Sequence, residues 1–198
     1  MNFVANPDAF DEMLGPDRLM GHSNLLENLN VLMEKAFAAN RGPTTKWFKS
    51  QLMEFLVKTV ATGFRNSVLA ALGVIGMLID RCDFESYMSF MNQEDSMCSG
   101  KALIDIILQR MDKETHTDVL KQMVFLLDSM FFYEKSGHQY QSVYRGRMAE
   151  EQPECMPAIE YTKMHPNVKN LEDLDEHQDP ELQQKVIDLI QDFLVHDV

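Results

Sequence analysis

A run of alternating side chains near the C terminus is the strongest candidate for a cation site. Its members are Asp173, Asp175, His177, Asp179 and Glu181. A calcium loop of the EF-hand type begins with such alternating ligands, but it also needs Gly at its sixth position and Glu at its twelfth. Counted from Asp173, these positions hold Gln178 and Gln184, which provide neither the turn nor the bidentate ligand. We therefore interpret the run as an acidic segment between two helices, with Asp179 capping the second.

Other groupings of reactive residue types also lack a complete motif. None of the six histidines forms an H-x-x-x-H pair, and the three cysteines form no C-x-x-C pair. Ser99-Gly100-Lys101 resembles the end of a phosphate-binding loop, but the loop's first glycine and a preceding strand are missing. We expect Ser99 to cap a helix, and we expect no catalytic residue, cofactor site or metal site. A helical enzyme with scattered site residues is a less favoured alternative.

Composition and charge restrict the classes of partner. The chain has 198 residues, 45% of them hydrophobic, and a formal net charge of −13. This excess of carboxylates repels the phosphates of nucleic acids and anionic lipids, so we expect neither as a partner. The longest apolar run, residues 68–79, is too short to cross a bilayer, which predicts no membrane insertion. Few, widely spaced cysteines are typical of a reducing compartment, so we expect a cytoplasmic or, alternatively, a nuclear location.

The elements that position these residues are predicted to be helices. No proline falls within residues 44–152, and apolar residues recur there at spacings of three and four. We predict helices over residues 23–39, 43–62, 64–81, 84–91, 100–111, 115–134, 139–150, 167–177 and 179–196. Residues 151–170 contain three prolines and show no periodicity, so they are predicted to be a loop. No pair of β-strands is predicted.

These elements suggest one domain with flanking segments. Residues 1–22 are predicted to be an N-terminal extension and residues 23–150 a helical repeat domain. Beyond the loop at 151–170, residues 171–198 are predicted to form an acidic helical cap packed on the same domain. The acidity is concentrated there, because residues 151–198 hold twelve acidic residues and three lysines.

An internal similarity supports a repeat. The helix pairs at 100–134 and 167–196 align at an offset of 62 residues, with identities at Leu120/Leu182, Gln122/Gln184, Val124/Val186, Leu127/Leu189 and Phe131/Phe193. The apolar members are spaced by four, three and four residues, which places them on one helix face. Two unrelated amphipathic helices also align in this way, so a helical repeat and a chance similarity both stay open.

The C-terminal segment resembles a known family of repeats. Residues 170–182, NLEDLDEHQDPEL, continue to VIDLIQDFL at residues 186–194, and together they resemble the terminal armadillo repeat of importin-alpha-type proteins. Residues 102–131 are similar to the second and third helices of the same repeat. The Trp-x-x-x-Asn ladder of those proteins is absent, since Trp47 is followed four residues later by Gln51. The resemblance implies an all-α, right-handed superhelix of helix pairs of the armadillo/HEAT-like superfamily, and no particular member.

A basic stretch is the first candidate for a binding surface. Between residues 35 and 65 there are six basic residues and one acidic residue, Glu54. A solvated helix face explains such a stretch without any partner. Alternatively, Arg41, Lys46, Lys49 and Lys58 bind an acidic segment, either of another protein or of this chain at residues 172–181.

An aromatic cluster is the second candidate. Phe131, Phe132 and Tyr133 are consecutive, and Tyr140 and Tyr144 follow at a helical spacing. Consecutive residues cannot all face one core, so either Phe131 or Phe132 must point away from it. We expect Phe132, Tyr140 and Tyr144 to contact a partner, with packing inside the core as the alternative.

Taken together, the sequence predicts a non-catalytic scaffold or adaptor that binds other proteins. Helical repeats offer extended surfaces for such binding. Three or four helix pairs are few for a free-standing solenoid, so a homodimerising or assembly domain of a larger protein is the main alternative. A homo-oligomer is compatible with both interpretations.

Overall fold

Eight α-helices account for most of the residues that the computed structural model describes, which are residues 48, 51–93, 99–144 and 157–195. They are α1 (Gln51–Thr62), α2 (Arg65–Arg81), α3 (Phe84–Met91), α4 (Gly100–Met111), α5 (Thr117–Tyr144), α6 (Pro157–Met164), α7 (Val168–Glu172) and α8 (Pro180–Leu189). A 3-10 helix, Asp173–Glu176, follows α7, and a π-helix, Ile190–Leu194, continues α8. No strand occurs in these ranges, so the all-α prediction is confirmed there. The predicted helix at 23–39 lies outside them.

Side-chain caps begin three of the helices. Asp83 accepts the N–H of Ser86 at the start of α3, and Ser99 accepts the N–H of Ala102 at the start of α4. Asp179 accepts the N–H groups of Glu181 and Leu182 at the start of α8, where Pro180 is the first helical residue. Each cap satisfies a backbone donor that has no partner within the helix. The predicted roles of Ser99 and Asp179 are thus confirmed.

The prediction of a loop over residues 151–170 is wrong for α6. Its prolines suggested an irregular segment, but Pro157 occupies the first helical position, where a missing N–H costs nothing. The N–H groups of Ala158 and Ile159 donate to the carboxylate of Glu134 on α5. Tertiary contacts therefore stabilise a helix of eight residues that would be marginal alone.

The long helix α5 also differs from its prediction, because it continues past Gly137 to Tyr144. The predicted break near Gly137 and the separate helix from residue 139 are therefore wrong over this part. A Cβ atom at residue 137 would lie 2.1 Å from Cδ2 of Phe84. Glycine at this position lets the Phe84 ring pack directly on the α5 backbone.

Six of the helices form three hairpins, each connected by a short turn, and α3 and α6 lie between successive hairpins in the chain. The hairpins are α1 with α2, α4 with α5, and α7 and its 3-10 extension with α8. Corresponding helices of successive hairpins lie side by side: α2 packs on α5 and α5 on α8, while α1 packs on α4 and α4 on α7. These six described helices thus form two layers, with α2, α5 and α8 in one of them.

Neighbouring helices within this layer run in the same direction. The Arg65–Asp118 ion pair joins the first turns of α2 and α5. Further along α5, the hydroxyl of Tyr133 donates to the carbonyl of Cys82 at the C-terminal end of α2. Similarly, Lys121 on α5 pairs with Glu181 on α8, whereas Lys135 lies over the ring of Phe193 further along both helices. All three helices are therefore parallel.

The core lies between the two layers. Its central members on α2 and α5 are fully buried, and each large apolar side chain contributes roughly 1.5–3 kcal/mol to folding. They include Leu72, Ile75, Leu78, Ile79, Met123, Leu127 and Phe131. Leu182, Val186 and Leu189 of α8 are buried against the same core, and the partly buried Phe193 meets Phe131 with ring centroids 5.7 Å apart. The face predicted for the last helix is therefore the one that packs.

Candidate interaction surface

The predicted binding residues fall in different parts of the fold. Lys58 lies on α1 with an exposed side chain, and its Nζ atom is 2.6 Å from Oε1 of Glu54, one turn earlier. Phe132 lies on α5 and is 65% exposed. Since α1 packs mainly on α2 and α4, Lys58 and Phe132 do not belong to one cluster.

The other predicted binding residues lie outside the described ranges or near the C-terminal end of α5. Arg41, Lys46 and Lys49 lie outside the described residues, so the basic stretch as a whole is untested. Tyr140 and Tyr144 lie on the last two turns of α5, in a part of the helix where only the backbone is described.

The exposed face of α5 carries two phenylalanines. Phe125 is 46% exposed and Phe132 is 65% exposed, while the adjacent Phe131 is buried. This confirms that one of the two consecutive phenylalanines points away from the core. Residues seven apart share a helix face, so Phe125 and Phe132 lie about 10 Å apart along the axis. We call this pair the aromatic face of α5.

Sequence reasoning missed Phe125. Phe125 and Phe132 are seven residues apart, so a helix places them on one face. An exposed Phe132 would therefore have predicted an exposed Phe125. The apolar residues around it, Val124, Leu126 and Leu127, instead favoured a core position. All three of these neighbours are buried.

A border of charged side chains separates the aromatic face from α8. Lys121 contacts Asp179, with 3.1 Å between Nζ and Oδ1, and it also pairs with Glu181. Lys185 lies 3.1 Å from Oδ2 of Asp128, and its Nζ atom is 5.3 Å from the centre of the Phe125 ring. Such cation–π contacts add stability to an aromatic ring that is otherwise open to solvent. The acidic segment near residue 180 is therefore neutralised in part by Lys121.

A shallow depression of about 470 Å³ lies at the N-terminal ends of α2, α5 and α8. Its lining includes Arg65, His116, Asp118, Lys121 and Asp179. The guanidinium of Arg65 donates to both carboxylate oxygens of Asp118, at 2.6–3.1 Å, and this contact holds the pKa of Asp118 below its usual value. Since Lys121 pairs with Asp179, the acidic and basic groups of the depression neutralise one another. This arrangement favours joining helix ends over binding a charged ligand.

A polar cluster joins α4 to α6. Oδ1 of Asp105 accepts a hydrogen bond from the hydroxyl of Tyr161 at 2.7 Å and lies 2.9 Å from Nε2 of His165. Nδ1 of His165 accepts the N–H of Asn167. Both ring nitrogens of His165 are thus in use, and the hydrogen bond to Asp105 raises the pKa of Tyr161 to about 12. The geometry fits a structural link, since neither ring nitrogen is available to act as a base.

Glu134 is the most deeply buried carboxyl group among the described residues. Its side chain is 0% exposed, and its oxygens accept the N–H groups of Ala158 and Ile159 at 3.1–3.2 Å. Burial raises the pKa of Glu134 to about 7, although these N–H groups favour the charged form. No sequence motif marked this residue.

Neither general structural criteria nor similarity to known proteins assigns a function to the chain. No described helix is long and apolar enough to span a membrane, and no three described His, Cys, Asp or Glu side chains are grouped closely enough to hold a metal ion. No protein-family model, curated protein or solved structure matches the chain.

Proposed function

We propose that the chain is a non-catalytic protein-interaction module built as a short stack of armadillo/HEAT-like helical hairpins. Three hairpins follow one another, and the corresponding helices of neighbouring hairpins are packed in parallel. Stacking of this kind buries the apolar side of each hairpin on the next and leaves long helix faces open to solvent. The right-handed twist expected from the armadillo resemblance is part of this proposal.

The aromatic face of α5 is the observation that carries the proposal. Phe125 and Phe132 are exposed, although Val124 and Phe131 beside them show that this helix has a well-packed core side. Large aromatic side chains are enriched at protein interfaces, where a partner removes them from water. The parallel packing of α2, α5 and α8 places this face in the middle of one layer, with neighbours on both sides.

Site-specific crosslinking tests this function. The photoreactive residue p-benzoylphenylalanine would replace Phe132 in one variant and Phe64 in a second. Phe64 is the matched control because it is 86% exposed and lies in the turn before α2, away from the middle of α5. We expect Phe132 to yield a defined crosslinked protein in cells and Phe64 to yield none. We also expect Phe132→Ser, but not Phe64→Ser, to abolish co-purification of that protein.

The identity of the crosslinked product separates the alternatives. A product with the mass of two copies of this chain, together with a dimer in light scattering, would favour the homodimerising domain. Equal crosslinking from the two positions, or co-purification that survives Phe132→Ser, would contradict an interaction through this face.

A further inference from the structure

The side of α8 that borders the aromatic face carries a stripe of charged residues. Glu181, Lys185, Asp188 and Asp192 recur at intervals of four, three and four, as residues on one side of a helix do. Two members show which way this stripe faces, because Glu181 contacts Lys121 and Lys185 contacts Asp128 on α5. Asp188 and Asp192 therefore lie along the same border, further toward the C-terminal end.

Not every charged side chain of this border has an ion-pair partner among the described residues. Glu181 and Lys185 each have an ion-pair partner on α5. Asp188 accepts a hydrogen bond from Gln184 at 2.8 Å, and no described side chain forms an ion pair with Asp188 or Asp192. Lys135, at the same end of α5, lies with its Nζ atom 5.2 Å from the centre of the Phe193 ring. Two exposed carboxylates thus lie beside the half of the aromatic face that contains Phe132.

We propose that this surface binds an amphipathic helix of a partner protein, with apolar residues on Phe125 and Phe132 and lysine or arginine residues toward Asp188 and Asp192. The inference rests on the proposed function and adds the chemistry of the partner. Apolar side chains at i and i+7 of a partner helix are about 10 Å apart, which is the spacing of the two phenylalanines along α5. Basic side chains on the flank of such a helix complement these two carboxylates, which have no ion-pair partner among the described residues.

The same charges disfavour other occupants. Phosphates of a membrane surface or a nucleic acid are repelled by Asp188 and Asp192, in a chain whose net charge is −13. A second copy of this chain would bring the same two carboxylates to the interface. A basic, apolar helix is the occupant that satisfies both the rings and the charges.

Binding of synthetic helical peptides tests the inference. The first probe is a fluorescent alanine-based peptide with leucines at i, i+4 and i+7 and lysines along one flank. The second has glutamates in place of the lysines, and the third keeps the lysines but has serines in place of the leucines. Fluorescence anisotropy with the full chain, at about 50 mM and about 300 mM salt, measures each affinity.

Two double variants separate charge from apolar contact. We expect Asp188→Asn with Asp192→Asn to weaken binding of the first peptide about threefold or more at low salt, mainly through slower association, and to have little effect at high salt. We expect Phe125→Ser with Phe132→Ser to weaken it about tenfold at either salt concentration. The control, Glu85→Gln with Asp112→Asn, makes the same change in net charge at two exposed residues outside this surface, and should bind as the wild type does.

The outcomes distinguish this inference from the proposed function. Equal affinity for the first and second peptides, or equal effects of the control and the Asp188/Asp192 variant, would overturn a basic partner. If the phenylalanine variant still lost binding, the interaction face itself would stand. Equal binding of the third peptide would reduce the interaction to nonspecific attraction and overturn the inference. Insensitivity of every peptide to the phenylalanine variant would count against both.

Discussion

Glu134 is a buried acid on α5, and its carboxylate accepts the first N–H groups of another helix, α6. The N–H groups of α6 favour its carboxylate form, but removal from water favours the protonated form more strongly, so its pKa lies near 7. Among the described residues, Tyr87 on α3 and Glu160 on α6 also interact with it electrostatically. Glu134 therefore links the stability of the fold to pH in the neutral range.

The direction of this linkage follows from the two pKa values. In the unfolded chain the pKa of glutamate is near 4.5, whereas it is about 7 in the folded protein. The folded state thus holds more protons between these values, and its stability falls as the pH rises through this window. We expect the free energy of unfolding to decrease by about 2 kcal/mol between pH 5 and pH 8.

Glu134→Gln is the matched variant, because its neutral amide oxygen still accepts a backbone N–H. Chemical denaturation at several pH values should show a flatter profile for this variant than for the wild type. A variant with the same slope as the wild type would assign the pH dependence to another group. The lowered pKa values of Asp118 and Asp179 act only in more acidic solution, so they leave this window undisturbed.

At the scale of the helix, two glycines have different surroundings, so we expect opposite effects when each is replaced by alanine. Gly137 lies under the Phe84 ring, where an added Cβ would meet ring atoms at 2.1–3.0 Å. An added Cβ at Gly76 of α2 would lie 3.8 Å from Cδ1 of Leu126, an ordinary contact distance. Alanine is favoured over glycine inside a helix by about 1 kcal/mol, so only the surroundings decide the sign of each substitution.

We expect Gly137→Ala to destabilise the protein by about 1–3 kcal/mol, because the ring must move away from α5. Gly76→Ala should instead stabilise it by up to about 1 kcal/mol. Thermal unfolding of both variants, beside the wild type, measures these changes. Stabilisation by Gly137→Ala would show that Phe84 moves without cost and that the glycine is not required by packing.

Local signals explain which elements could be predicted from the sequence. The starts of α4 and α8 followed from the caps Ser99 and Asp179, whose effects act within one turn. The helix α6 could not be predicted, because its first N–H groups depend on Glu134, more than twenty residues earlier in the chain. The helix break near Gly137 was predicted wrongly for a related reason, since the Phe84 ring that covers this glycine comes from α3. In each failure the deciding contact is distant in sequence.

Prediction of the surface is limited in the same way, because contacts between residues distant in sequence also decide it. That either Phe131 or Phe132 faces away from the core followed from three consecutive aromatic residues, a pattern within one helix. The charged border with Asp188 could not be foreseen, because it requires α5 and α8 to lie in parallel. The basic stretch was assigned from composition. Of its two described members, Lys58 pairs with Glu54 of its own helix and Arg65 pairs with Asp118 of α5.

At the scale of the whole molecule, the proposed stack of hairpins predicts that the last described hairpin opens before the middle one. In a stack, each hairpin is stabilised mainly by its neighbours, so an outer hairpin opens more easily than the middle one. The hairpin of α7 and α8 has a polar outer side, where Gln184 and Gln191 are exposed. Its helix α8 packs on α5, and Leu182, Val186 and Leu189 of α8 are buried.

Leu189→Ala tests this behaviour, because the side chain is 1% exposed and its removal leaves a cavity. We expect a loss of about 2–5 kcal/mol in the stability of the last hairpin. Hydrogen exchange should become faster over residues 168–194, while residues 65–81 of α2 keep their protection. Asp192→Ala is the control, since Asp192 is exposed and its loss should leave exchange unchanged. Equal loss of protection in α2 and α8 after Leu189→Ala would instead indicate a single cooperative core, and the stacked arrangement would then fail as a description of how this fold is stabilised.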